Sequence, residues 1–169
     1  MTKNKPVVVV GLMGSGKSTA GRLISEALGV PLTDSDPYLM ERHGGTAAEI
    51  AAREGAQALH RYEAEHVLHE LAGEPKVIAA AASTVEDPRV RAALRDALVV
   101  WVDADDEVLA RRMRSGDHRP DFSPAAMRAR RERYFREVAD LRCDVGVLTP
   151  EQVRDAVLRE LGLPAADPS

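Results

Sequence analysis

"PVVVVGLMGSGKSTAGRLISEALGVP", residues 6–31, decides the fold. Val7 to Val10 is an unbroken β-branched run, which predicts a strand covered on both faces, because a half-solvated strand would alternate apolar with polar residues. Gly11 ends the run. From Lys17 onward Ala20, Leu23, Ile24, Ala27 and Leu28 recur at helical spacing, and Gly29 with Pro31 supplies the stop signal. Between strand and helix, residues 11–18 match GxxxxGK[ST] in the place that motif requires. Gly14 and Gly16 let backbone amides turn inward on phosphate oxygens, and the helix N-terminus adds partial positive charge. Lys17 can reach the outer phosphates and the Ser18 hydroxyl can ligate Mg²⁺. The expected nucleotide site is therefore Gly14, Ser15, Gly16, Lys17, Ser18 and Thr19, with ATP as donor and Mg²⁺ as cofactor.

Outward from this unit the same alternation repeats. "VPLTDSD", residues 30–36, predicts a second short strand, and further strands are predicted over 77–82, 97–103 and 143–147. Helical patterns occupy about 37–71, interrupted near Gly44, Gly45 and Gly55, then 87–96, 105–114, 124–139 and 150–161. Strands alternating with helices predict a parallel sheet covered on both sides, with sites at the carboxyl ends of the strands. The expectation is a single α/β domain over 1–169, a three-layer αβα sandwich on a five-stranded parallel sheet, with a loose tail at 162–169. At 169 residues a core can form without disulfides, and Cys143 is the one cysteine. The formal charge of -4 gives no reason to expect a nucleic-acid partner. The N-terminal apolar run is too short for a signal segment or membrane span. A cytoplasmic monomer with no membrane partner is expected.

A phosphate loop specifies nucleotide, not reaction. Neither LSGGQ nor [NT]KxD occurs in the chain, which leaves the small kinases among compact phosphate-loop proteins. Residues 111–136 hold nine of the nineteen arginines and only three acidic residues. Guanidinium keeps its charge and grips phosphate oxygens in a planar fork, so a basic mobile lid is expected over about 115–124, with Arg119 on the phosphates. Arg128, Arg130 and Arg133 individually are read as a solvated helical face. Asp34 and Asp36, two apart at the end of the second strand, are expected to point to one side. One can hold the Mg²⁺ water shell while the other orients or deprotonates an acceptor hydroxyl; an Asp-Ser-Asp helix cap is the competing reading of Asp36. His60, His66 and His69 cannot converge on one metal, because His60 and His69 fall on opposite helix faces.

With these residues in view, the chain from about Lys5 to Leu161 resembles the shikimate kinase family. "GLMGSGKSTAGRLISEALGVPLTDSD" looks like the family's phosphate loop, helix and D-[ST]-D strand. "ERHGGTAAEIAAREG" resembles its helical approach to the acceptor, "GDHRP" its lid, and "RRERYFREVADLRCD" its arginine-bearing return helix and last strand. The resemblance implies Lys17 and Arg119 on phosphate, Ser18 and Asp34 at Mg²⁺, Asp36 on the acceptor hydroxyl, Arg112 against adenine and Arg131 on the acceptor's carboxylate. Two departures stand out. Where the family has a Gly-Gly-Gly turn after the third strand, this chain has Ala81, Ala82 and Ser83. Where the family has Phe-Arg before a glutamate, Leu59 and His60 precede Glu63, and imidazole cannot form a bidentate fork on carboxylate. His60, Ala81 and Ala82 thus join Asp36 and Arg131 as the expected acceptor site within the helical region 37–71 and the turn after the third strand. The expected function is ATP-dependent phosphoryl transfer to a small hydroxyl compound other than shikimate, a cyclitol or polyol. The alternatives are a genuine shikimate kinase and a nucleotide-binding protein without turnover.

Overall fold

The computed structural model describes residues 5–114 and 123–165. Strand β1 (Val7–Val10) leads through the phosphate loop into helix α1 (Lys17–Leu28), followed by β2 (Leu32–Asp34), α2 (Ser35–His43), α3 (Ala47–Glu54) and α4 (Ala56–Leu71). Then come β3 (Val77–Ala79), a 3-10 helix (Ala82–Glu86), α5 (Pro88–Ala93), β4 (Leu98–Asp103), α6 (Asp106–Arg114), α7 (Pro124–Val138), β5 (Leu141–Asp144) and α8 (Pro150–Glu160). The five strands form one sheet in the order β2-β3-β1-β4-β5, and every pairing is parallel.

The β-branched run sits at the centre because strand periodicity sends alternate valines to opposite faces. Val8 and Val10 enter one core with Ile78, Val99, Trp101 and Phe135, while Val7 and Val9 enter the other with Ile24, Val100, Val153 and Val157. All four valines are at most 1% exposed, so no face of this strand tolerates a polar residue. The first core lies under α4, α5 and α7, the second under α1 and α8. The α2–α4 region closes on its own small cluster of Leu39, Ile50 and Leu59.

Several boundaries differ from the sequence expectation. The second strand stops at Asp34, because residues 35 and 36 already belong to α2. The third stops at Ala79, and residues 82–86 form a 3-10 helix instead of strand. The fifth begins at Leu141, two residues early, because pairing with β4 starts at Val100↔Leu141. The tail is not loose at its start: Leu163 donates its amide to the Leu158 carbonyl and packs on the second core. Of the expected lid, 115–122 lies outside the described residues. Pro124 opens α7, and Ser123 is its cap, the hydroxyl accepting from the Ala126 amide. Among the described residues no helix is long and apolar enough to cross a membrane.

Candidate active site

The carboxyl ends of β1, β2, β3 and β4 open on one edge of the sheet, where Lys17, Ser18, Asp34 and Asp36 come together. Gly11 leaves β1 at φ 154°, where an added Cβ would lie 2.4 Å from the Val102 carbonyl oxygen and 2.8 Å from Ser15 Oγ. Only glycine fits against the neighbouring strand at this point. Gly16 caps α1 in the left-handed region at φ 89° and turns the chain so that α1 starts at Lys17. Lys17 Nζ curls back on its own loop, donating to the carbonyls of Gly11 (2.9 Å) and Leu12 (3.2 Å). Burial pulls its ammonium down from 10.5 to about 8; Asp34 and Glu63 oppose the drop, Arg131 adds to it, and Asp36 opposes it. Lys17 thus feels Asp34, Asp36, Glu63 and Arg131 at once, which places all five in one electrostatic neighbourhood. Ser15 Oγ is buried without a hydrogen-bond partner among the described residues.

The Ser18 hydroxyl donates directly to Asp34 Oδ2. These are two hard oxygens at a helix N-terminus, the donor type Mg²⁺ takes when substrate phosphates complete its shell, so the residues present fit that ion. No cluster of three or more His, Cys, Asp or Glu side chains among the described residues is arranged for a metal. Asp34 ends β2 and Asp36 sits in the first turn of α2, so the pair reaches Lys17 across a strand-to-helix corner and not by strand alternation. Partial loss of water in the concave site, with the nearby Asp34 charge, raises the Asp36 carboxyl above its ordinary value; Lys17 offsets part of this. A carboxylate made more basic in this way is better placed to take a hydroxyl proton.

Arg112 reaches over the loop, its Nη1 donating to the Gly14 carbonyl at 3.2 Å. Arg119 lies outside the described residues. Ala81 and Ala82 are half-buried and need no special backbone. Ala81 is extended at φ -61°, and no non-glycine residue among those described has positive φ. This turn is built as strand, extended residue and 3-10 helix, a route alanine follows without strain. Ser83 is buried and donates to Glu63 Oε1 at 2.8 Å.

Sequence reasoning missed Glu86. It closes the 3-10 helix, and Arg131, only 7% exposed on α7, donates its Nε to Glu86 Oε2 at 2.7 Å. Arg130 Nη2 donates to Oε1 at 3.1 Å. Burial alone would raise the Glu86 carboxyl, but the hydrogen bond and charge of Arg131, with the charges of Arg130 and His60, outweigh it and hold the group below its usual range. His60 is therefore in the same neighbourhood. An acidic residue three beyond the Ala-Ala-Ser turn was the available signal. Arg128 also departs from expectation. It is a strut, not a solvated residue, donating to Asp106 Oδ1 (2.7 Å), the Asp103 carboxylate (3.1 and 3.3 Å) and the Ala104 carbonyl (2.6 Å). His66 is fully buried with Nε2 2.9 Å from Thr33 Oγ1, on the core side of α4.

A phosphate loop after the central strand of a 2-3-1-4-5 parallel sheet, with paired aspartates and a buried arginine acting on the loop lysine, defines a small-molecule kinase of the P-loop class. Residues 13–162 match the shikimate kinase family model, and the chain belongs to that family. It is similar to the shikimate kinase of Symbiobacterium thermophilum, with 44% identity over 67% of this chain and 66% of that protein. It is 35% identical to the shikimate kinase of Mycobacterium bovis over 94% of each chain. The fold superposes on shikimate kinase from Acinetobacter baumannii in complex with shikimate with a TM-score of 0.85, at 23% identity, covering 93% of this chain and 92% of that one. The chain is a kinase, a phosphotransferase with an alcohol group as acceptor.

Proposed function

We propose that this chain transfers the γ-phosphoryl group of ATP to a ring hydroxyl of shikimate. The arrangement that carries the reading is Lys17, Ser18, Asp34 and Asp36 gathered at the mouth of the phosphate loop. The loop amides and α1 N-terminus would hold the phosphates, and Lys17, released from the Gly11 and Leu12 carbonyls, would turn to their outer oxygens. Ser18 and Asp34 would hold Mg²⁺, which when bound neutralises charge on the β- and γ-phosphates. Asp36 accepts the proton of the attacking hydroxyl as its oxygen bonds to the γ-phosphorus and the bond to ADP breaks. Arg112 and Arg119 remain assigned to the nucleotide and the transferring phosphate. The relatives' shared name supports shikimate better than it supports the expected non-shikimate cyclitol or polyol. The test is ATP-dependent phosphorylation of shikimate by the purified chain. Asp36→Asn should lower kcat by about 10²-fold or more, the usual worth of a positioned base, with the fold retained. Activity of that variant equal to wild type would remove Asp36 from its role.

One observation favours a second reading. Arg131, which the family resemblance places on the acceptor's carboxylate, already holds a carboxylate of its own chain. A hydroxyl compound without an acid group would leave that pair undisturbed.

A further inference from the structure

Four side chains around the acceptor end carry charge or can gain it: Arg131 on α7, Glu86 at the end of the 3-10 helix, Glu63 on α4 and His60 on α4. Arg131 is 93% removed from solvent, and its Nε points at Glu86 Oε2, 2.7 Å away. Glu86 is a side-chain acceptor for two arginines at once, since Arg130 binds its other oxygen at 3.1 Å. The hydrogen bond from buried Ser83 fastens Glu63 to the same 3-10 helix at 2.8 Å, so the segment carrying Glu86 is tied at both ends. A carboxylate two methylenes from the backbone of this tied segment, facing a buried guanidinium, occupies the space and the charge that an anionic acceptor would use.

Resting on the kinase reading above, we infer that Glu86 is a specificity-determining residue of the acceptor site: by pairing with Arg131 it weakens the site's hold on an acceptor's carboxylate, so that shikimate binds less tightly than it would to a free Arg131 while an uncharged compound of the same shape is unaffected. An incoming acid must displace Glu86 from Arg131 or bind beside it against like charge, and either route weakens its binding. An uncharged acceptor meets no such competitor. The effect belongs to binding of the acid group, remote from the reacting hydroxyl, so it falls on KM and not on kcat.

Shikimate and its methyl ester share ring and hydroxyls and differ in the charge, which makes them the diagnostic pair. Glu86→Gln keeps the side chain's size and its acceptor oxygen while removing the charge. We expect it to lower the KM of shikimate at least tenfold, with kcat and the constants for the ester each within about twofold of wild type, a charge-assisted contact being restored. Parallel changes for acid and ester, or no change for either, would overturn the inference. If neither compound is phosphorylated by either protein, the shikimate reading fails, and the inference is decided by calorimetric binding of the two compounds in the presence of a non-hydrolysable ATP analogue. Tenfold tighter binding of the acid alone by Glu86→Gln sustains it there, and any other pattern overturns it. Should Glu86→Gln not fold, Glu86→Asp, whose carboxylate is drawn back one methylene from Arg131, should move the acid in the same direction by at least threefold; an unchanged acid would sink the proposal.

Discussion

His66 shows how a single side chain couples the site's support to pH. Burial pushes its imidazole from 6.5 down to about 4, the Glu70 and Asp34 carboxylates offsetting part of this while His69 and Lys76 add to it. The unfolded chain therefore binds the proton more readily than the folded one between about 4 and 6.5, and stability contributed by the neutral ring is lost as pH falls through that window. His66→Gln, which can still meet the Thr33 hydroxyl, should lose less stability than wild type between pH 7 and 4.5. The difference should be about 2 kcal/mol from the size of the shift, read as urea midpoints at the two values. Identical acid sensitivity of the two proteins would show that the buried ring is not the titrating group. At the same scale Lys17 was legible from its motif, whereas the pairing of Arg131 with Glu86 was not, because the partners lie 45 positions apart in the chain.

At the start of helix α7 one polar residue ties it to the carboxyl end of β4 and to α6, beside the apolar contact of Met127 with the first core. Arg128 reaches from α7 to the end of β4 and to α6, and Asp103, 3% exposed, accepts hydrogen bonds from it and from Arg142. Removing Arg128 leaves a buried carboxylate with one cationic partner fewer, a loss that costs more than the pair itself contributes. Arg128→Ala should destabilise the protein by about 2–3 kcal/mol, while Arg133→Ala, on an exposed side chain bonded to Tyr134, should stay within about 0.5 kcal/mol. Chemical denaturation of both variants checks the contrast; equal effects would return Arg128 to the solvated face that its helical spacing suggested.

Across the whole molecule, four parallel strands deliver the phosphate loop, Asp34, the Ala81 turn and Asp103 to one edge of the sheet, so nucleotide binding acts on the central strand of both cores. ATP with Mg²⁺ at about a hundred times its dissociation constant should add about 2.7 kcal/mol, raising the melting temperature by roughly 5–10 °C for a domain of this size. Chelating the Mg²⁺ should remove most of the shift. Lys17→Met should show little of it and no phosphoryl transfer, since the ammonium carries the contact to the outer phosphates. A wild-type-sized shift in Lys17→Met would separate Lys17 from nucleotide binding.

The chain's local pattern determined the parallel architecture and the phosphate loop. A β-branched run followed by glycines and an amphipathic helix has one low-energy arrangement, and each of those signals acts over a few residues. Asp34 and Asp36 were likewise legible as a pair, though the geometry that aims them at Lys17 is a strand-to-helix corner that period-2 reasoning does not describe. The alanine turn was legible as a departure and not as a structure, because whether residues 80–83 need positive φ depends on the path the backbone takes, and here it follows a 3-10 helix. The electrostatic character of the region around Arg131 was decided only in three dimensions. Charge acts through space, and the contacts that set it, Glu86 with Arg131 and Ser83 with Glu63, join segments that only the packing of α4, α7 and the 3-10 helix brings together.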